Sequence, residues 1–352
     1  MGGPGVLLGL FEYPLDAVGL YRRGAAVDDA VELFHTPTSV LAGKAVSASP
    51  SRWEDRPKGY GGAVRGPPVT ATDAADAFSL LADATRLSIL EALVVANRED
   101  PTSATLSFSE LYERSGIEDT GRFNYHLDKL VGRFVEKSEG YRLSPAGIRV
   151  AGAVFSGYYD SPTDVEDEPL GPCPACDGTL SVSYESGLFS VSCEGGHAFG
   201  DLVPPRVFED RDAAAAAEAM AVAVVGRARQ AQRGACPQCF GHVEWSMVEP
   251  PPDDTAPGPV ALSWQCRTCG VPYAAPPGMF VPWDPAVEAA LREHGVDVWE
   301  EPVRWLALGE EWTVTAFDAD AGRASVEATL SGVPVTATVG ERGEVLEFRV
   351  GG

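Results

Sequence analysis

The fold is decided by a six-residue pattern that occurs twice, as CPACDG at residues 173–178 and as CPQCFG at residues 236–241. Two cysteines separated by two residues in a tight turn can offer two sulfur ligands to one metal ion. The proline restricts φ, and the glycine after the second cysteine predicts a positive φ that closes the turn. The pattern therefore predicts two metal-binding knuckles.

The other cysteines complete two sets of four ligands and leave no thiol over. The first set is Cys173, Cys176, Cys193 and His197, and the second is Cys236, Cys239, Cys266 and Cys269. Zn²⁺ prefers four such ligands in a tetrahedron, and four protein ligands leave no open position for catalysis. With strand-like runs between the knuckles, the spacing predicts two zinc ribbons with structural Zn²⁺. Buried thiols without metal are the alternative, and His242 could compete for the second site.

An N-terminal region, residues 72–156, has a different pattern: helix, helix, helix–turn–helix, β-hairpin, helix. Helical spacing predicts a first helix with Phe78 on its apolar face, and Ser109 is expected to cap the short helix around Leu111. Apolar residues at the same spacing, Phe123, Leu127 and Leu130, predict a helix over about 120–133. Short strands are predicted near 134–137 and 141–143, and Ser144-Pro145 predicts the start of the last helix. This order of elements predicts a winged helix.

Residues 73–155 resemble the arsenical-resistance-repressor (ArsR) family of winged-helix regulators, especially its haloarchaeal branch. The resemblance lies in AFSLLADATRLSIL at residues 77–90 and FNYHLDKL at residues 123–130. It implies that the second helix of the helix–turn–helix enters the major groove and that the hairpin contacts the flanking backbone. It also implies a homodimer, for which the helix after Ser144 is the candidate interface. Metal sensors of this family carry cysteines in the first helix of the helix–turn–helix, and residues 109–114 have none.

The face of the recognition helix opposite its apolar residues is polar and basic. The candidate DNA-binding residues on this helix, just after it and in the hairpin are Arg122, Asn124, Tyr125, His126, Lys129, Arg133 and Arg142. Arginine can pair with guanine and asparagine with adenine, while Lys129 and Arg133 suit phosphates. Residues 119–149 hold six basic and four acidic residues. The alternative is an ordinary solvated helix face, in which His126 could serve packing as readily as contact.

The whole chain is predicted to be a multidomain α+β protein. We expect the following order: residues 1–68, a disordered extension or a misassigned start; 72–156, the winged helix; 157–172, an acidic linker; 173–209, the first zinc ribbon; 210–233, a connecting helix; 234–282, the second zinc ribbon; and 283–352, a helix followed by a small antiparallel β-meander.

Charge is the unusual feature of the composition. Lys and Arg total 27 against 51 Asp and Glu, a net charge of -24, and only four of the 27 are lysines. This composition resembles that of proteins from extreme halophiles. An acidic surface repels DNA in dilute salt, but in molar salt the Debye length falls to about 3 Å and local chemistry outweighs net charge.

Several classes of protein are disfavoured by the sequence. No run of 18 apolar residues is present and no basic residue precedes Val6-Leu7-Leu8, so we expect a cytoplasmic protein without a membrane span. Neither a phosphate-binding P-loop nor an HExxH motif occurs, and no cysteine is left as a nucleophile, so an enzyme is not expected.

The predicted function is that of a sequence-specific DNA-binding transcription regulator. Its expected partners are double-stranded DNA and a second copy of the chain, with RNA polymerase or another protein as a further candidate. Two alternatives stay open: a basal transcription factor similar to archaeal transcription factor E, and a zinc-ribbon adaptor that binds protein or RNA.

Overall fold

The computed structural model describes residues 71–102, 105–159, 164–249 and 259–351. The expected extension at residues 1–68 lies outside these ranges. The described chain is a mixed α+β structure whose sheets are small and antiparallel. It falls into two compact units: the first comprises residues 71–159 and 204–206, and the second comprises residues 164–203 and 207–351.

The first unit contains five helices and one hairpin among its described residues. In chain order its elements are α1 (Ala71–Ser79), α2 (Ala84–Glu99), α3 (Phe108–Arg114), α4 (Thr120–Leu130), β1 (Val135–Lys137), β2 (Tyr141–Leu143) and α5 (Pro145–Phe155). The strands pair antiparallel, with Val135 opposite Leu143. The helical spacing and the Ser144-Pro145 start that the sequence predicted are both observed.

Side-chain caps explain where the helices of the first unit begin. Asp119 and Ser144 each accept a backbone N–H three residues later, at α4 and α5. Helix α3 begins after Ser107, which forms a capping box with Glu110. This corrects the expectation that Ser109 caps α3: the box satisfies two backbone N–H groups, and Ser109 lies one position inside the helix.

The core of the first unit is built on α2 and α4. Phe123, Leu127 and Leu130 are fully buried there, as the sequence predicted. Phe78 was expected on the apolar face of the first helix, but its side chain is 68% exposed. Helix α1 is only nine residues long and packs through Leu80 and Leu81 beyond its end, which leaves Phe78 outside the core.

The second unit combines three antiparallel sheets with three α-helices in its described part. In chain order its elements are β3 (Val165–Pro172), β4 (Thr179–Glu185), β5 (Leu188–Ser192), β6 (Ala198–Leu202), α6 (Ala213–Gln232), β7 (Val243–Val248), β8 (Ala261–Cys266), β9 (Pro272–Ala275), α7 (Pro285–Glu293), α8 (Pro302–Ala307), β10 (Thr313–Asp318), β11 (Arg323–Leu330), β12 (Val333–Gly340) and β13 (Val345–Val350). The sheets have the orders β3-β4-β5-β6, β7-β8-β9 and β10-β11-β12-β13.

Residues 157–172 were expected to form an acidic linker, but part of this stretch forms strand β3. Residues 165–172 pair antiparallel with β4, and Val165 and Leu170 pack against the core. Backbone hydrogen bonds do not depend on side-chain charge, so acidic residues can occupy the exposed side of a strand. Two register shifts within β3 interrupt the alternation of apolar and polar residues that would have indicated a strand.

The start of the C-terminal meander is also corrected. Residues 283–352 were expected to form one helix followed by the meander, but a second helix at Pro302–Ala307 and a 3₁₀ turn at Leu308–Glu311 precede the strands. Pro302 lies in the first turn of α8, where its missing N–H costs nothing. The four strands β10–β13 then form the expected meander.

One hydrophobic core connects the elements of the second unit. Helix α6 contributes an almost continuous face of small residues, including Ala216, Ala217 and Ala221, which are fully buried. Alanines let neighbouring backbones approach closely. The same core contains Trp283 and Trp305 from the C-terminal segment. The expected ribbons, connecting helix and meander therefore share a core within this unit.

Candidate metal centres and nucleic-acid interface

The first candidate metal centre lies between two turns of the sheet β3-β4-β5-β6. Cys173 and Cys176 lie in the turn between β3 and β4, and Cys193 and His197 lie between β5 and β6. Each turn is closed by a backbone hydrogen bond, from Cys173 N–H to the Gly178 carbonyl at 2.8 Å and from Cys193 N–H to the His197 carbonyl at 3.1 Å. The Sγ atoms of Cys176 and Cys193 are 3.7 Å apart. His197 Nδ1 lies 3.4 Å from Cys193 Sγ and 3.6 Å from Cys173 Sγ.

The second candidate metal centre likewise lies between two turns, here of the sheet β7-β8-β9. Cys236 and Cys239 lie in a turn before β7, while Cys266 ends β8 and Cys269 lies in the turn before β9. The Sγ atoms of Cys236 and Cys269 are 3.7 Å apart, and those of Cys239 and Cys266 are 3.5 Å apart. Four sulfur atoms complete this group, and His242 lies outside it.

The distances within both groups fit one tetrahedral metal ion each. For metal–sulfur bonds of about 2.3 Å and metal–nitrogen bonds of about 2.0 Å, a tetrahedron separates two sulfur atoms by about 3.8 Å and sulfur from nitrogen by about 3.5 Å. The close pairs are 3.5–3.7 Å apart between sulfurs and 3.4–3.6 Å apart between sulfur and nitrogen, and all ligand atoms of each group lie within 4.8 Å of one another. Each group could therefore hold a metal ion, with all eight ligands that the sequence predicted.

Backbone N–H groups favour the thiolate form at the second centre. The N–H groups of Thr268 and Cys269 lie 3.3 and 3.5 Å from Cys266 Sγ. Burial opposes the charged form, but these donors and the neighbouring thiols lower the pKa of Cys266 to about 6. Burial raises the pKa of Cys236 and Cys269 in the same centre, so Cys266 is the thiol most readily converted to the metal-binding thiolate.

The glycines of the two knuckles have a different role from the one predicted. Neither Gly178 nor Gly241 has a positive φ, and in the second knuckle that conformation falls on Phe240 instead, with φ of 60°. Gly241 is required for close approach, since a Cβ atom there would lie 2.4 Å from Thr268 Oγ1. The glycine thus allows the two knuckles of the second centre to meet.

Glu311 contacts the first centre and was not among the predicted site residues. Its Oε1 atom lies 2.9 Å from Nε2 of His197, the ring nitrogen that faces away from the three cysteines. The two residues are 114 positions apart. No local pattern around Glu311 indicates a metal site, so only the folded chain identifies the contact.

Four of the five candidate DNA-binding residues on α4, including Arg122, are exposed. Asn124, Tyr125 and Lys129 are exposed, and Tyr125 is 59% exposed. The Lys129 ammonium lies 5.5 Å from the centre of the Tyr125 ring, and the Asn124 amide donates to Asp128 at 3.4 Å. Asparagine, tyrosine and lysine on one exposed face can contact bases and phosphates.

Two other candidates on α4 have partners at the start of α2. Arg122 donates a hydrogen bond to Thr85 Oγ1 at 2.7 Å. His126 is 13% exposed, with Nδ1 at 3.5 Å from Asp83 Oδ1. These side chains therefore contribute to packing α4 against α2.

The remaining two candidates lie beyond α4. Arg133 follows the helix and is exposed. Arg142 on β2 is exposed and forms an ion pair with Glu136 across the hairpin, at 2.7 Å. Both side chains lie on the surface of the first unit, where a phosphate could replace or join their present contacts.

Comparison with known proteins assigns the chain to a family. Residues 170–345, half of the chain, match the family model described as Domain of unknown function (DUF7351). The chain belongs to the DUF7351 family. Residues 74–154 match a second model, described as Domain of unknown function (DUF7347). No curated protein and no solved structure matches the chain.

Each of the two matched regions contains a different candidate site. The DUF7351 region includes both metal centres and Glu311, and the DUF7347 region includes α4 and the hairpin. No helix in the described part of the chain is both long enough and apolar enough to cross a membrane.

The DUF7351 region also contains a buried ion pair beside a small pocket. Asp201 on β6 is 2% exposed and accepts hydrogen bonds from Arg227 and from the Tyr273 hydroxyl at 3.0 Å. Burial and the nearby carboxylate raise the pKa of Tyr273, which keeps its hydroxyl a donor. The adjoining pocket, lined by Trp245 and Trp264, has a volume of about 60 Å³.

Proposed function

We propose that this chain is a sequence-specific DNA-binding transcription regulator. In this proposal the first unit is a winged helix of the kind found in ArsR-family regulators, and α4 is its recognition helix. The observation that carries the proposal is the exposed face of Asn124, Tyr125 and Lys129 on a helix whose opposite face is fully buried. The order α3, α4, hairpin, α5 supports this proposal, in which β1 and β2 are the wing.

The charge distribution supports DNA rather than a neutral or basic partner. Residues 119–149 have six basic and four acidic residues within a chain of net charge -24. Lys129, Arg133 and Arg142 supply the positive groups for phosphate contacts. Salt in the molar range would screen the acidic remainder of the chain over about 3 Å and leave these short-range contacts in place.

The metal at both centres is, in this proposal, structural Zn²⁺. Three thiolates with one imidazole, or four thiolates, select Zn²⁺ over the oxygen-preferring Mg²⁺ and Ca²⁺. Four protein ligands at each centre leave no position for a substrate or an activated water. The two metal centres would then be zinc ribbons that stabilise the sheets on which they lie.

A homodimer is proposed as the DNA-binding form. Winged helices of the resembled family pair through flanking helices, and two copies would read two half-sites of an operator. Ile148 on α5 is 54% exposed, so this helix has an apolar side chain available for such an interface.

The test is selection of DNA from a random library by the full-length protein in molar KCl, followed by affinity measurements on the selected sequence. Asn124→Ala should cost about 1–3 kcal/mol and relax specificity at one base position. Lys129→Ala should weaken binding to all sequences equally and reduce the salt dependence by about one counterion. Arg323→Ala, which removes an exposed charge on β11, is the matched control and should change neither.

Failure to enrich any sequence motif would overturn the operator-binding proposal. Immunoprecipitation of the chain with its bound DNA from its own cells would then separate the alternatives. Signal at all active promoters would indicate a basal factor similar to archaeal transcription factor E, and no DNA signal would indicate a protein- or RNA-binding adaptor.

A further inference from the structure

The two ring nitrogens of His197 face different partners. Nδ1 lies among the sulfur atoms of the first metal centre, at 3.4 Å from Cys193 and 3.6 Å from Cys173. Nε2 lies 2.9 Å from a carboxylate oxygen of Glu311. When Nδ1 binds a metal through its lone pair, the ring proton of neutral histidine must be on Nε2. The Glu311 carboxylate is placed to accept a hydrogen bond from that N–H.

The backbone at Glu311 is held by the core on both sides. Glu311 ends the 3₁₀ turn before β10, between Leu308 and Trp312, which are both buried. Trp312 packs directly over Gly278, where a Cβ atom would lie 2.2 Å from Cγ of the tryptophan. The Glu311 side chain itself is 51% exposed. The packing of the neighbouring backbone, and not burial of the carboxylate, therefore holds the Glu311 side chain beside His197.

We propose that Glu311 is a positioning residue of the first metal centre. Its carboxylate accepts the Nε2–H of His197, fixes the ring with Nδ1 toward the metal, and makes the imidazole a stronger ligand. Partners of this kind on metal-bound histidines contribute roughly 10–100-fold to metal affinity. The contact also connects the metal centre to the segment that begins the C-terminal sheet. The inference rests on metal binding at the first centre and does not depend on DNA binding.

The second metal centre provides an internal control, because its four ligands are all cysteines. The experiment compares the full-length wild-type chain with Glu311→Ala and Glu311→Gln. Each protein is loaded with Zn²⁺ and titrated with a competing chelator, and parallel samples carry Co²⁺. The cobalt absorption bands separate a centre with three sulfurs and one nitrogen from a centre with four sulfurs.

Glu311→Ala should lower the metal affinity of the first centre about 10–100-fold and leave the second centre unchanged. Glu311→Gln retains an oxygen acceptor without the charge, so its loss should be smaller. Glu300→Ala, which removes an exposed carboxylate that precedes α8, is the matched surface control and should leave both centres at wild-type affinity. Equal weakening of both centres, or no weakening at the first, would overturn the proposal.

A measurement on the unmodified protein tests the same inference without relying on a variant that folds. Nitrogen-15 correlation spectra of the zinc-loaded wild-type chain report which ring nitrogen of His197 carries the proton. The proposal requires a protonated Nε2 and a metal-bound Nδ1. The opposite assignment would refute it.

Discussion

Gly178 and Gly241 occupy equivalent positions in the two knuckles but have different neighbours. A Cβ atom at Gly241 would lie 2.4 Å from Oγ1 and 2.7 Å from Cβ of Thr268, on the facing knuckle. At Gly178 the nearest atom would be the end of the flexible Glu194 side chain, at 2.9 Å. A glutamate carboxylate can rotate away, whereas a threonine Cβ is fixed to its backbone. The same substitution should therefore affect the two centres differently.

Gly241→Ala is expected to separate the knuckles of the second centre and destabilise it by about 1–3 kcal/mol, the usual effect of overpacking. Gly178→Ala should cost less than about 1 kcal/mol at the first centre, because the flexible Glu194 side chain can rotate away and Cys176 Sγ, at 3.3 Å from the new Cβ, needs only a small shift. Chelator competition on each zinc-loaded variant measures both effects. Equal losses at the two centres would contradict this account.

Helix α3 provides a test at the scale of a single element. Ser107 accepts the N–H of Glu110, while the Glu110 carboxylate accepts the N–H of Ser107 at 2.8 Å. Ser107→Ala removes one half of this capping box and should lower the free energy of unfolding of the first unit by about 1 kcal/mol. Denaturant unfolding followed by helical circular dichroism measures the change.

Ser109→Ala is the control for the capping prediction, because Ser109 is exposed inside the same helix and is not its cap. It should change the stability by a few tenths of a kcal/mol, since alanine has a somewhat higher helix propensity than serine. A larger destabilisation from Ser109→Ala than from Ser107→Ala would show that the helix begins at the position first expected from the sequence.

The elements that could be predicted from the sequence are those with a local signal. Phe123, Leu127 and Leu130 recur at helical spacing, and the two knuckles share one six-residue pattern, so the sequence predicted α4 and the two groups of four residues that could each hold a metal ion. Strand β3 was missed because register shifts break its alternation and its acidic residues are typical of a linker. Glu311 could not be found, since its partner is 114 residues away and no spacing rule relates them.

At the scale of the whole molecule, we expect the two units to depend on metal to different degrees. The core of the first unit is formed by aliphatic and aromatic side chains such as Ile89, Leu93 and Phe123, and it contains no predicted metal ligand. The main core of the second unit contains Cys173, and a smaller cluster contains Cys236 and Cys266. Loss of metal should therefore weaken the second unit selectively.

Removal of both metals by a strong chelator is expected to increase amide hydrogen exchange at β4–β9 while α2 and α4 keep their protection. Structural metal sites contribute folding free energy directly. When the ligands lose their ion, we therefore expect the sheets that carry those ligands to unfold locally more often. Hydrogen exchange with mass spectrometry measures both regions in one sample. Uniform loss of protection in both units would show that they unfold as one body.

Strand β3 lies at one edge of its sheet, and its sequence affects the tendency of the protein to aggregate. An edge strand has backbone groups that can pair with a strand of another molecule, which is a common route to aggregation. Glu166, Asp167 and Glu168 are exposed along this strand, and two irregularities in its pairing bend it away from a flat edge. A second copy that approached this edge would meet like charges. The acidic residues that had indicated a linker thus oppose edge-to-edge pairing of two molecules at the high protein concentrations of a cell.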